Sequence, residues 1–372
     1  MLFFSTSFNL IIPELNQYIS NLGGAEFKGL VIGLFTLSAG ISRPFSGKLA
    51  DVIGRKKVML VGVAVCLITS LLYPLFVSVW LFLVLRFVHG FSTGFFPTGA
   101  TALVTDELPE RVRGSGMGIW GTFISLGIGV GQGLGSTFTQ LFTINGLFIA
   151  SACFAAISYI LMLKIEETLP NPQPFRMKFL LVKKDEIIER SVIPVAVVMF
   201  LSASCSGVIF VLVPDIAAFL KLENKGWFFL FYVISTIAAR LFTGRLSDRI
   251  GRRQTLLIGM ALLSVSMVII GYSTSVLWFT LSSVLFGIAT GTASPTIFAW
   301  TADLSPDHRR GIGAGTMFIA LEFGILFGSL VTSALYKDTA ESVVNVFIFG
   351  GSMAALCVGY LIWHLATRES RT

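Results

Sequence analysis

The sequence predicts an all-α polytopic membrane protein, with twelve transmembrane helices arranged as two pseudo-symmetric six-helix bundles. Three observations predict it. The 372-residue chain is 54% hydrophobic and only 13% charged, too few charges to cover the surface of a soluble protein of this size. Apolar runs of about 20 residues, the length a helix needs to cross a bilayer core, recur along the whole chain. Finally, the second half repeats the first at a fixed offset of 197 residues.

Taken in order, the apolar runs place spans at residues 2–20, 29–50, 57–77, 79–104, 115–138 and 144–164. Six more follow at 192–219, 226–247, 254–274, 277–301, 311–334 and 343–366. The first run carries no cleavable leader pattern. It is short and lacks a basic lead-in, so the natural start could lie upstream of Met1. Connections are short except for residues 165–190, which separate an N-terminal bundle (1–164) from a C-terminal one (191–372). That segment opens with Pro170, Pro172 and Pro174 and then mixes basic residues with Phe175, Phe179, Leu180 and Val182. It could form a helix lying in the membrane interface or a solvated cytoplasmic linker. Cys66, Cys153, Cys205 and Cys357 fall inside apolar runs without paired spacing, so they read as small core residues, with no metal site and no disulfide.

The clearest internal repeat is Arg43–Val58, RPFSGKLADVIGRKKV, which recurs as Arg240–Thr255, RLFTGRLSDRIGRRQT. From Arg43 to Arg55, eight of thirteen positions match those from Arg240 to Arg252. Each copy ends one apolar run and starts another, so each reads as a tight charged hairpin between membrane helices. Gly47 and Gly244 are expected to let neighbouring backbone approach. Gly54 and Gly251 are expected to take positive φ where the chain reverses. The same offset carries Gly90 to Gly287, Asp106 to Asp303, Arg113 to Arg310 and Gly131 to Gly328. An offset of 201 pairs Pro13-Glu14 with Pro214-Asp215.

These hairpins closely resemble the signature loop of the major facilitator superfamily, and with the repeat the resemblance covers nearly the whole chain. It implies a secondary transporter that binds a small-molecule substrate between two parallel repeats near the bilayer midplane and exposes it to each side in turn. It implies no cofactor. No Walker A sequence, zinc pattern or catalytic triad appears, so an enzyme is not expected. GMGIWG at Gly116–Gly121 follows no strand and lies in a membrane span, so it is a chance match to a dinucleotide fingerprint.

Charge placement supplies the orientation. With the hairpins on the cytoplasmic side, only Lys28, Lys221, Lys225 and Lys337 lie outside, Arg43 and Arg240 sit at cytoplasmic helix ends, and Arg86 alone lies within a span. That asymmetry puts both termini in the cytoplasm. It also explains the net charge of +7 without nucleic acid. Short loops and the lack of any Asn-x-Ser/Thr site fit a bacterial inner-membrane protein, expected to be a monomer in the lipid bilayer.

The family resemblance implies a cytoplasmic gate. In it Asp51 closes against the helix opening at Gly311, where the helix dipole favours a carboxylate and Arg310 could pair with it. Asp248 with Arg113 and Gly114 would be the pseudo-symmetric counterpart, and Arg55, Arg252 and Asp106 complete the charged set. The plain reading of all these groups is surface ion pairing and topology signalling, worth little individually.

Charged groups within spans need a reason to be there. Arg86 and His89 share one helix face, and Arg86 has Ser283 as its repeat counterpart. Glu322 lies near the middle of the eleventh span, opposite Ser125. Burial penalises the charged forms of His89 and Glu322, so either could exchange a proton during transport. Arg86 could equally be held by backbone carbonyls. Glu14 and Asp215 sit near the outer ends of the first and seventh spans, at the mouth of the expected cavity. Asn9, Gln17 and Gln132 could hydrogen-bond a solute or simply a neighbouring helix. Gly127, Gly131 and Gly135 resemble the glycine-rich fifth helix of exporters in the superfamily, with Gln132 standing where a proline is usual. Proton-coupled export (antiport) is therefore favoured over uptake of an anionic metabolite with Arg86 as counter-charge. A non-cycling, transporter-like sensor is the expectation from another class, opposed by the intact hairpins in both halves.

Overall fold

The computed structural model describes the chain except residues 109–112, 183–186, 307–309, 338 and 370–372, and except the side chains of 113–118, 244, 245, 248, 310, 311, 368 and 369. The described residues are mostly helical, with no strand among them. The helices are α1 (Leu2–Leu10), α2 (Ile12–Asn21), α3 (Lys28–Ile53), α4 (Arg55–Leu72), α5 (Val79–Glu107) and α6 (Arg113–Leu163). They continue as α7 (Ile193–Phe219), α8 (Trp227–Ile250), α9 (Arg252–Gly271), α10 (Val276–Leu304), α11 (Arg310–Leu335) and α12 (Ala340–Glu369).

Among the described residues nine stretches are long and apolar enough to span a bilayer, and a shorter one covers Trp227–Thr243. One of the nine, Ile119–Leu163, has 45 residues and breaks at Thr143 (φ 66°, ψ 174°), so it crosses twice. Together with α1 and α2 acting in series, these make the twelve spans. The first span thus arrives in two pieces. Pro13 has no amide hydrogen to donate, and the chain turns at Ile11 before α2 resumes. Many large apolar side chains face outward, among them Ile68, Trp80, Phe242 and Trp363, as lipid-facing helices require. The chain is a multi-pass membrane protein.

Local signals repeat with the sequence. Ser78 and Ser275, 197 residues apart, each cap a helix by accepting from the amide three residues on, at 3.4 Å in both cases. Gly54 (φ 120°) and Gly251 (φ 93°) take the positive φ expected of the hairpin turns. Gly47 departs from expectation: a methyl group there would meet nothing within 4 Å, so it allows no close approach in this arrangement. Close approach occurs instead along the fifth span. Methyl groups on Gly127, Gly131 and Gly135 would lie 2.7, 2.8 and 2.4 Å from carbonyl oxygens of Leu2, Thr6 and Leu10, so the glycine stripe packs α6 on α1.

Each half has its own buried core. The large second-half cluster runs from Val192 to Leu361 and draws nothing from the first half. The first-half clusters include one second-half residue, Val211. Between them, α3 packs on α11 and α6 on α8, the principal places where helices of opposite halves run together.

The connecting segment does not form the interfacial helix that was one expectation. Its described residues hold only 3₁₀ turns at Met177–Leu180 and Arg190–Val192, because three prolines at alternate positions forbid an α-helical start. It lies instead on the first hairpin. The Glu167 carboxylate accepts from the amides of Arg55 and Lys56 at 2.9 and 3.1 Å, and the Gln173 amide donates to the Val52 carbonyl at 2.8 Å. Phe179 and Leu180 pack on Leu49, Ala50, Ile53 and Val58.

A polar seam between the halves

At the end of the bundle away from the repeated hairpins, two ion pairs join the halves in a swapped arrangement. Glu14 in α2 pairs with Lys225, just before α8, at 3.1 Å. Asp215 in α7 pairs with Lys28, at the start of α3, at 2.9 Å. Each partner of one pair is the repeat counterpart of a partner in the other. Ser136 donates to Glu14 at 2.7 Å, and Asn16 donates to Asp215 at 3.1 Å and to the Val211 carbonyl at 2.6 Å.

The backbone beside each lysine also crosses the seam. The Gly29 amide donates to Ser333 at 3.0 Å and the Lys225 amide to Ser136 at 3.1 Å; the two serines are themselves repeat counterparts. A methyl group on Gly226 would lie 1.9 Å from the Gln132 carbonyl, and one on Gly29 2.6 Å from that of Ser329. Glycine is required at both positions by contact, and this end of the two halves is closed.

Midway along the seam, Arg43 and Glu322 form a buried ion pair at 2.8 Å, with side-chain exposures of 3% and 6%. Arg43 was expected at a cytoplasmic helix end. It lies ten residues before Ile53, about 15 Å of helix, which carries its guanidinium well inside. The second guanidinium arm donates to Thr98 at 2.9 Å, and the group lies 4.3 Å from the Phe318 ring centroid. Gly40 brings the backbones together here, since a methyl group on it would meet Glu322 Cβ at 3.3 Å.

Arg240, the counterpart of Arg43, crosses the seam in the opposite direction. It donates to the Gly121 carbonyl in α6 and, at 2.9 Å, to Ser294 in α10. Among the described residues no carboxylate reaches it.

Arg86 and His89 belong to a different network, enclosed within the first half. Arg86 is 1% exposed. It donates to the Val31 carbonyl at 3.1 Å and to the Tyr73 hydroxyl at 3.4 Å, and stacks 4.5 Å from the Phe35 ring centroid. His89 bridges the Tyr73 hydroxyl (3.0 Å) and Cys66 Sγ (3.3 Å). The chain of contacts continues through Ser7 to Ser151 and Ser70, tying five spans of one bundle together. Asn9 and Gln132 meet each other at 2.9 Å, while Gln132 Oε1 is left without a partner. Gln17 bonds Asn21 and is exposed.

At the hairpin end, Arg55 pairs with Asp51 at 3.0 Å and with Asp106 at 3.2 Å, and Arg252 repeats the second contact with Asp303 at 3.1 Å. Asp51 is half exposed. The side chains of Arg113, Gly244, Asp248 and Arg310 lie outside the described residues, and with Arg310 goes the expected partner of Asp51.

The residues that sequence reasoning missed are Arg43, Lys28 and Lys225. The two lysines share the 197-residue offset, which sets them apart from Lys221 and Lys337 among the four cations expected on the outer side. That coincidence was available as a signal.

Comparison with known proteins agrees with this architecture. The sequence model of the Major Facilitator Superfamily matches residues 1–220 and 195–372. The chain is similar to the multi-drug resistance efflux pump PmrA homolog of Lactococcus lactis, with 25% identity covering 93% of this chain and 89% of that one. It is similar at 25% identity to the class G tetracycline resistance protein of Vibrio anguillarum, covering 96% and 94%. The crystal structure of the human organic anion transporter MFSD10 superposes with a TM-score of 0.76 at 19% identity, over 97% of this chain and 96% of that one, a likeness of fold. With both halves matched and the hairpins, repeat and seam in place, the chain belongs to the major facilitator superfamily and is a transporter, not an enzyme.

Proposed function

We propose that the protein exports a small solute across a bacterial plasma membrane by alternating access, driven by exchange with protons. The observation that carries this reading is the Arg43–Glu322 pair. It is buried, it joins opposite halves, and it is absent from the repeat-related position, where Ser125 stands in place of the carboxylate. A buried ion pair broken from one side leaves an uncompensated charge costing about 3–5 kcal/mol. Separation of α3 from α11 is therefore opposed while Glu322 is ionised. A proton on Glu322 removes that opposition, so proton binding and the rocking of the halves become linked.

The closed outer seam and the half-exposed Asp51 correspond to a state shut on the outside, with both termini in the cytoplasm. Opening outward breaks Glu14–Lys225 and Lys28–Asp215, and the Asp51 hairpin then closes the cytoplasmic side. Export is supported by the similarity to the PmrA multi-drug resistance efflux pumps and by the glycine-packed fifth span.

Proteoliposomes containing a pH-sensitive dye test the coupling. A solute gradient should move protons in wild type and should not in Glu322→Gln, while solute exchange persists. Equal proton flux in the two proteins would refute the role given to Glu322.

A further inference from the structure

We infer that Arg240 binds the anionic group of the transported solute, in the place where its pseudo-symmetric mate holds a built-in carboxylate. The two arginines occupy equivalent positions on α3 and α8 and reach equivalent positions on α11 and α6. Arg43 lies over Phe318 and pairs with Glu322, one turn further along α11. Arg240 grips the backbone at Gly121, the counterpart of Phe318. One turn further along α6 stands Ser125, where the second half has Glu322. The ring and the carboxylate that complete the first site are both missing from the second.

What remains is a cation built to receive both. Arg240 Nε is buried and has no hydrogen-bond partner, and its other two nitrogens meet only neutral oxygens, the Gly121 carbonyl and the Ser294 hydroxyl. A guanidinium held in this way is a charge-assisted donor that suits a carboxylate or similar planar anion. Gly121, Ser294 and Arg240 itself are partly rather than fully buried.

Apolar rings lie one turn of α10 from the Ser294 contact. Phe298 follows Ser294 by one turn of α10, and its ring meets that of Phe318 edge-on at 5.8 Å between centroids. Charge and rings together select an organic anion with an aromatic or other apolar body. Arg43 already faces a carboxylate, Glu322, although its own Nε, like that of Arg240, has no partner, and Arg86 is enclosed within one bundle. Among the described residues that leaves Arg240 as the seam guanidinium without a carboxylate.

This assignment rests on the transport reading for its biological sense, but it can be tested by binding alone. Purified full-length protein in phosphatidylcholine nanodiscs would be titrated with dansylglycine and with dansylglycinamide, which differ only in the carboxylate, against empty nanodiscs. Wild type should favour the acid by about tenfold to a hundredfold, the range of a charge-assisted contact.

Ser125→Glu should erase that preference by supplying the missing carboxylate internally while preserving the fold, checked by its melting temperature. Arg240→Gln should erase it by removing the cation, and Arg240→Lys should retain part of it. Equal affinity of wild type for the two probes, including no binding of either, overturns the assignment. So does a preference that survives Ser125→Glu. A protein that binds as stated yet moves no solute in proteoliposomes would refute transport and leave the binding site standing.

Discussion

The buried pair at the centre of the seam permits a quantitative test. At 2.8 Å between Arg43 and Glu322, the gross Coulomb attraction at an effective dielectric of 20 is roughly 6 kcal/mol. Most of it offsets the desolvation of two charges, so the net value of the pair is small. Removing one partner is another matter, because the survivor stays buried: Arg43→Gln or Glu322→Gln should each destabilise by about 3–5 kcal/mol. At about 2 °C per kcal/mol, each single variant should melt on the order of 5–10 °C below wild type in nanodiscs.

The double variant, Arg43→Gln/Glu322→Gln, leaves two neutral amides able to bond each other. It should recover most of the loss, giving a coupling of about 2–4 kcal/mol in a double-mutant cycle. Melting followed by intrinsic fluorescence for the four proteins supplies the measurement. Additive losses in the double variant would refute the claim that this pair, rather than each residue's packing, links α3 to α11.

Three further outcomes follow from other parts of the seam. Lys28→Glu/Lys225→Glu places like charges opposite Asp215 and Glu14, so a cysteine at Asn16 should react severalfold faster with a membrane-impermeant maleimide than in the parent; an unchanged rate would show that these pairs do not close the outer side. Gly226→Ala should depress transport strongly, because its methyl group would sit 1.9 Å from the Gln132 carbonyl, whereas Gly47→Ala, with nothing within 4 Å, should leave melting within about 0.5 kcal/mol of wild type. Glu167→Ala removes the acceptor for the Arg55 and Lys56 amides, so limited proteolysis should cut residues 165–182 faster than in wild type while the helices stay intact.

The architecture was legible because a repeat is a strong statement about space: ten or more residues held at one offset imply two superposable bundles, and their apolar runs fix the spans. Side-chain pairing was legible only where partners lie within one repeat. Arg55–Asp106 and Arg252–Asp303 obey the offset and confirm each other. The outer pairs obey it too, but crosswise, with each acid taking the other half's lysine. A sequence read half by half places Glu14, Asp215, Lys28 and Lys225 at the same membrane face and cannot say who meets whom. Arg43 was hidden differently, inside a stretch whose other charges lie at the membrane surface. Counting helical rise from Ile53 would have exposed it. Asn9 donates its side-chain amide to the Ser5 carbonyl of its own helix, which leaves its carbonyl oxygen to accept from Gln132 across the bundle.

The repeat also carries information in its failures. Where both halves keep a charge and its partner, as in Arg55–Asp106 and Arg252–Asp303 or the two crossed lysine pairs, the contact itself is repeated. Where one half keeps a charge and the other has lost it, closure by symmetry cannot be the reason for the survivor. Glu322 against Ser125 is the sharpest such break, and it falls on the seam, beside a pair of arginines that both halves kept. One arginine is therefore matched by the chain and the other is left to be matched from outside. An exchanger needs that asymmetry: a carboxylate that a proton can neutralise on one side of the axis and a receptive cation on the other. The two sites need not be occupied in the same way at the same time. Ser125→Glu, which restores the symmetry, should accordingly yield a folded protein that still opens and closes but no longer favours an anionic solute.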